Sequence, residues 1–307
     1  MISITVIVPT YRRPCDLARC LEALNHQERS VDEAIVVVRD TDSQTWDFLQ
    51  TFEAYPLPLK TVTVTVTGVV AAMNAGLDAA HGDIIAFTDD DAIVHPLWVY
   101  RVWETFQDPA ANAMTGLVFS HQLETEAQII FEKYWSFNKG FIDKAFGRSF
   151  FNSTYKIGTP VWEIGAGVNM AFRKSVFSEV GNFDERLGAG ASGCSEDSEL
   201  WYRMLIKGMD IHYNPRAVMH HEHRSDIAGL KKQIFAYMKG HAVAALIQQE
   251  MHQKSGYKKR VFQILPKNYI YAILKGFPTY DFQLKTLRAE ITGFIAGLFF
   301  YYKNKRR

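Results

Sequence analysis

Apolar, β-branched runs alternate with helical stretches through about the first ninety residues, and this alternation limits the possible folds more than any other feature of the chain. Residues 2–8, 34–38, 61–66 and 83–87 are predicted strands, and helices are predicted over about 14–27, 43–52 and 69–80. Strands separated by helices cannot pair through hairpins. They call for right-handed βαβ crossovers and an α/β fold with a mostly parallel sheet flanked by helices. A chain of 307 residues, 48% hydrophobic and 22% charged, can bury the core such a sheet needs and still carry an appendage.

In open α/β sheets ligands bind beyond the carboxyl ends of the strands. Three polar clusters fall there: Pro9-Thr10-Tyr11-Arg12-Arg13, Arg39-Asp40-Thr41-Asp42-Ser43, and Thr88 followed by Asp89, Asp90 and Asp91. Like carboxylates held close share protons or recruit positive charge, and oxygen ligands favour Mg²⁺ or Mn²⁺. An acidic triplet alone is usually a solvated turn. Its convergence with two other polar strand ends makes a cation holding a nucleotide diphosphate the better reading.

The net charge of +1 offers no basic field for nucleic acid. The start, Met1 to Pro9, lacks a basic leader and reads as a buried strand, which points to the cytoplasm. Cys15, Cys20 and Cys194 have neither metal-site spacing nor an even count, as expected of free thiols. From about 113 to 224 the pattern is mixed, with a predicted strand at 168–172, and reads as the second side of a cleft. The glycine-rich stretch 188–193 leads into Ser195, a predicted N-cap that places Glu196 and Asp197 in a first helical turn. Beyond Asp226 the chain becomes helical and rich in Lys, Tyr and Phe. The apolar run 291–302 is too short to span ~30 Å of hydrocarbon. With the basic tail 303–307 it reads either as a membrane-interfacial helix or as a helix docked on the domain.

Across most of residues 2–224 the chain resembles the family-2 glycosyltransferases of GT-A fold. The matching segments are Val6 to Arg13, Asn74-Ala75-Gly76-Leu77, Gly82 to Asp91, Gly165 to Arg173, Gly181 to Glu185, Ser195-Glu196-Asp197 and His221-Glu222-His223. The resemblance implies that Pro9, Thr10, Tyr11, Arg13, Asn74 and Asp90 border the nucleotide-sugar, that Asp40 binds the base and that Asp89 lies near the ribose. It also implies that Asp91 ligates Mg²⁺ or Mn²⁺, with His221 and then His223 as further ligands. Met73 stands where the family often has Arg, and the second-strand cluster departs from the usual paired acids, so either Asp40 or Asp42 faces the base.

Under this resemblance Asp197 is the base on the acceptor hydroxyl, and Glu196 orients it or binds the acceptor. From the segment alone both acids read better as first-turn helix residues, and the wider set of matching segments reverses this. Trp162, Glu163 and Asn169 border the acceptor pocket, or belong to the core. The expected activity is metal-dependent, inverting transfer of a sugar from a nucleotide-sugar, UDP-sugar favoured, to a glycan or lipid-linked acceptor in cell-surface polysaccharide or glycolipid assembly. The expected division is a domain over 1–225, with a nucleotide-binding half to 112 and an acceptor half after it, and a helical extension over 226–307. A nucleotidyltransferase would carry a glycine-rich loop after the first strand, and Thr10-Tyr11-Arg12-Arg13-Pro14 has no glycine. A non-catalytic sugar-nucleotide-binding module would have no need for both Asp91 and Asp197.

Overall fold

The structure, a computed structural model, describes residues 2–54, 56–276 and 285–305. Among these, nine strands form one sheet: β1 (Ile4–Thr10), β2 (Glu33–Arg39), β3 (Leu59–Val64), β4 (Ile84–Phe87), β5 (Ala92–Val94), β6 (Ala111–Ser120), β7 (Lys144–Phe146), β8 (Met170–Arg173) and β9 (Asp210–His221). The order is β3-β2-β1-β4-β8-β6-β9-β5, with β7 also on β9. Strands β1 to β4 pair in parallel, whereas β8 runs antiparallel to both β4 and β6.

The first four strands fall within a few residues of their predicted positions: β1, β2 and β4 are buried on both faces and read as continuous apolar runs, and the edge strand β3 shows apolar alternation. Ile7, Ile35 and Val37 point to the face covered by helices Val69–Ala79, Glu196–Lys207 and Ile227–Met251. Val6, Val8 and Val36 point to the opposite face, under helices Pro14–Asn25 and Trp98–Thr105.

Strand β9 carries Pro215, which has no N–H for a ladder. The β6–β9 register jumps between Gly116 and Leu117, from Asn214 to Val218, and the proline sits in that bulge. Asn169 closes it. Its Nδ2 donates to the carbonyls of Leu117 at 3.2 Å and Ala217 at 2.9 Å, while its Oδ1 accepts from the Trp98 indole at 2.9 Å. Fully buried and committed to backbone, Asn169 belongs to the sheet and not to an acceptor pocket.

The C-terminal helix, Leu287–Lys303, docks on Ile227–Met251. Phe294 is buried there and the Tyr301 hydroxyl donates to Glu250 at 2.5 Å. Gly293 and Gly297 allow the close approach, since a Cβ at either would run into a carbonyl of the facing helix, Phe235 or Lys239. Gly293→Val is expected to cost about 1–3 kcal/mol through overpacking, seen as a fall of several degrees in the thermal midpoint. Ile295, Phe299 and Tyr302 remain exposed on its outer side. No described helix is long and apolar enough to cross a membrane. Arg306 and Arg307 of the basic tail lie outside the described residues.

Candidate active site

The crossovers from β1 run outward through β2 to β3 and then return to β4 on the other side of β1, so the sheet reverses direction between β1 and β4. The loops after these two strands face each other at that reversal, the place where open α/β sheets open a crevice. The Thr10 hydroxyl donates to Asp90 Oδ2 at 2.7 Å across the gap. Arg13 Nη1 bridges Asp90 Oδ1 at 3.1 Å and Asp91 Oδ2 at 2.8 Å. Arg12 sits at φ 58°, an unusual value for a residue with a side chain, and its N–H is held by Asp42 Oδ2 at 2.5 Å.

Strand β5 leaves the acidic loop and pairs with β9 so that Ala92 faces His221. That register brings His221 Nε2 to 3.3 Å from Asp91 Oδ1. One ligand atom each from Asp89, Asp91 and His221 lie within 4.8 Å of one another. His223 stands behind, its Nδ1 3.4 Å from His221 Nδ1 and its Nε2 3.1 Å from Glu132 Oε2. If each ring donates toward Glu132, the His221 Nε2 lone pair faces the Asp91 carboxylate. Two electron-rich groups at that separation require a proton or a metal ion between them. Two carboxylates and an imidazole backed by a hydrogen-bonded carboxylate suit Mn²⁺ or Mg²⁺.

Burial alone would push the Asp91 carboxyl up. The His221 hydrogen bond and charge, with Arg13, reverse this and leave it below the usual carboxylate range. At Asp89, burial followed by the Asp91 charge outweighs the charges of His221 and Arg13 and raises the carboxyl to about 7. For Asp90 burial also wins, over Arg13 and Thr10.

On the opposite wall stand Glu196 and Asp197, at the start of helix Glu196–Lys207. Ser195 occupies the preceding position in a left-handed conformation, φ 76°, and makes no side-chain cap; its hydroxyl lies 3.0 Å from Cys194 Sγ. Backbone strain therefore marks both walls, at Arg12 and Ser195. The glycine loop is fastened on two sides. Val69 N–H donates to Ala189 O at 2.9 Å, and Lys239 Nζ donates to Ala191 O at 2.7 Å.

The two acids have different surroundings. Asp197 Oδ1 accepts from Ser198 N at 2.6 Å, and the Gly167 N–H and the Lys139 charge also favour its ionised form. Glu196 Oε2 is buried with no hydrogen-bond partner, and burial, then the Asp197 charge, push this carboxyl up to about 8. Asp197 is raised by burial too, but its donors oppose the rise. Of the two, Glu196 is the one that burial favours protonated, and Asp197 the one whose donors favour its charge.

Arg13, Asp89, Asp90, Asp91, His221, Glu196 and Asp197 line a single cleft of about 2050 Å³, with Pro9, Thr10 and Tyr11 at the β1 end and Trp162 near the acids. Several expected residues lie elsewhere. Asn74 spends both amide atoms on the Phe183 backbone, at 3.1 Å each, and does not line the cleft. Neither Asp40 nor Asp42 lines it. Asp40 points outward against Arg39 at 3.2 Å, and buried Asp42 caps helix Ser43–Thr51 through Thr45. Arg39 and Thr41 line it instead. Glu163 is outside, and His223 reaches the site only through His221. Sequence reasoning also passed over Arg224, whose charge acts on Asp91 and His221, and Lys139 beside Asp197. Arg224 directly follows the histidine cluster and could have been read with it.

A family model described as glycosyltransferase like family 2 matches residues 3–240, most of the chain. This chain is a family-2 glycosyltransferase. The succinoglycan biosynthesis protein ExoM of Rhizobium meliloti is 30% identical to it over 243 residues, covering 76% of this chain and 72% of that protein. Glycosyltransferase AglE of Haloferax volcanii is 26% identical over 218 residues, 70% of this chain and 60% of that one. Among solved structures, a mannosyltransferase from Pyrobaculum calidifontis in complex with GDP-Man and Mn²⁺ has a TM-score of 0.63 at 17% identity, covering 99% of this chain and 88% of that one. S. aureus TarS 1-349 in complex with UDP-GlcNAc has a TM-score of 0.55 at 15% identity, covering 98% and 89%. These likenesses establish the GT-A architecture of the glycosyltransferase, and the family is one of glycosyltransferases and not of nucleotidyltransferases.

Proposed function

We propose that this glycosyltransferase moves a sugar from a nucleotide-sugar, UDP-sugar favoured, to a hydroxyl of a glycan or lipid-linked acceptor, with inversion, in cell-surface polysaccharide or glycolipid assembly. One observation carries the mechanism: the Asp89, Asp91 and His221 cluster and the Glu196–Asp197 pair line the same cleft. The nucleotide would lie along Pro9, Thr10 and Tyr11, with Arg39 and Thr41 toward the base. Asp89, Asp91 and His221 would hold Mn²⁺ or Mg²⁺, which when bound supplies Lewis-acid neutralisation of the departing diphosphate. Arg13 and Arg224 add positive charge at that end. Asp197, ionised by its donors, takes the proton of the acceptor hydroxyl as that oxygen attacks the anomeric carbon from the face opposite the diphosphate. Protonated Glu196 donates a hydrogen bond to the acceptor. The relatives support this reading, one by its place in succinoglycan biosynthesis and the solved neighbours by their GDP-Man with Mn²⁺ and UDP-GlcNAc.

A protonated Glu196 sets an alkaline limit. Turnover is expected to fall by about tenfold per pH unit above roughly pH 8, as this carboxyl ionises beside Asp197. Glu196→Gln should remove that limb, which a pH–rate profile would show.

The division into a nucleotide half to residue 112, an acceptor half to 225 and a helical extension over 226–307 belongs to the same proposal. The extension would seat the enzyme on the cytoplasmic face of a membrane. Residues 251–276 contain Lys254, Lys258, Lys259, Arg260, Lys267 and Lys275 and no acid, while Ile270, Ile273 and Leu274 are exposed. Isothermal titration of UDP, GDP and dTDP, each with and without Mn²⁺, tests the central reading. One of the three is expected to bind only with the metal. Failure of all three under both conditions would sink it.

A further inference from the structure

The cleft holds a second cationic place, away from the Asp91 cluster. Arg260 lies over the Trp162 ring, its guanidinium carbon 4.3 Å from the centroid. Trp162 meets His241 edge to face at 5.3 Å, and the His241 backbone N–H reaches the Cys194 sulfur, two residues before Glu196. From the loop that follows the Trp162 turn, Gly167 N–H reaches Asp197. The Arg260–Trp162–His241 stack therefore stands beside the acceptor-side acids, and all three side chains line the cleft.

Among the described residues Arg260 makes no ion pair, and its buried Nε has no hydrogen-bond partner. A half-buried guanidinium with no ion-pair partner is costly, and burial pushes its pKa down against the charges of Tyr257 and Glu163. The surrounding segment, 251–276, contains no acid, and Glu163, whose charge reaches Arg260 from beside Trp162, makes no ion pair with it among the described residues. The backbone here is also unusual. Arg260–Ile264 is a single π-helical turn closed by Leu265 N–H on Arg260 O, just before Pro266, which has no N–H to give and clashes with a normal helical carbonyl. That turn carries Arg260 to the cleft while Lys258 and Lys259 stay exposed.

We propose that Arg260, held over the Trp162 ring, binds a phosphate or diphosphate that joins the acceptor sugar to its carrier. This rests on the transferase reading above, because it takes Asp197 as the acceptor-side base. The planar guanidinium presents paired N–H donors to phosphate oxygens while the aromatic face covers its other side. Phosphate fits better than a sugar carboxylate because of what comes next along the wall. Helix Leu265–Gly276 follows directly, with Asn268 and Lys275 facing the cleft and Ile270, Ile273 and Leu274 exposed. Acids, then a cation, then an apolar surface is the order of sugar, phosphate and hydrocarbon in a lipid-linked acceptor.

Farnesyl diphosphate and farnesol, titrated calorimetrically into the full chain with metal chelated by EDTA, test the site. Wild type is expected to bind the diphosphate at least about tenfold more tightly than the alcohol. Arg260→Gln should erase that preference, Arg260→Lys should keep part of it, and Asp91→Asn should keep all of it. Thermal midpoints verify that each variant is folded. The proposal is overturned if wild type does not prefer the diphosphate, if the preference survives in Arg260→Gln, or if Asp91→Asn loses it. Binding of glucuronate that depends on Arg260, without binding of farnesyl diphosphate, also overturns it in favour of an acidic glycan. Nucleotides titrated with Mn²⁺ into the same preparations report on the transferase reading separately. If none binds while the Arg260-dependent preference remains, that reading fails and the phosphate site stands.

Discussion

Asp197→Asn is expected to lower kcat by about 10²–10⁴-fold while leaving nucleotide affinity unchanged, because it removes the base and nothing that touches the donor. The substitution is nearly isosteric. The amide oxygen can still accept from Ser198 N and Gly167 N, so the start of helix Glu196–Lys207 should remain in place. What disappears is the negative charge, which is also the second cause of the high Glu196 pKa, after burial. In the variant Glu196 should therefore ionise at lower pH and could become a poor substitute base, so residual turnover should rise with pH. Steady-state kinetics against pH would test both statements. A loss of less than about tenfold would mean that proton removal does not depend on Asp197. Glu196→Gln should then show the larger defect, and the roles of the two acids would exchange.

The parallel half of the sheet could be read from the sequence because β1, β2 and β4 are buried on both faces and appear as uninterrupted β-branched runs. Strand β9 could not. Its Pro215 argues against a strand, and only the tertiary bulge closed by Asn169 makes room for it. Local spacing also brought the Asp89–Asp91 loop and the Glu196–Asp197 turn into view, but not which atoms of each are already engaged. Asn74 and Asp42 look like ligand contacts in a linear motif; in the fold, one ties down Phe183 and the other caps a helix while holding Arg12. Ser195 has the composition of an N-cap, yet its left-handed backbone turns the hydroxyl toward Cys194. Arg260 had no signal at all. It lies beyond the matched family residues, 3–240, and reaches the cleft only because the extension folds back along its wall.

Asp91→Asn is expected to abolish the metal-dependent part of nucleotide binding, weakening it by at least about 100-fold, more than the 10–100-fold typical of losing a group that merely supports a ligand. Asp91 is the one carboxylate in the loop that meets both Arg13 and His221, at 2.8 and 3.3 Å. Without an ion, the raised His221 pKa places a proton between imidazole and carboxylate. An ion has to displace that proton, so metal-dependent binding should strengthen as pH rises and weaken as His221 becomes protonated. Titrations with Mn²⁺ and with EDTA distinguish the causes. In wild type the chelator should reduce affinity to the level of the variant, and in the variant it should have no further effect. If Asp91→Asn retained a response to Mn²⁺, the ion would be held by other groups. His223→Gln provides the intermediate case: it leaves Asp89, Asp91 and His221 in place and breaks only the path from His221 to Glu132. Its affinity should fall by about 10–100-fold, between wild type and Asp91→Asn, if His223 acts by orienting His221 and not as a ligand itself.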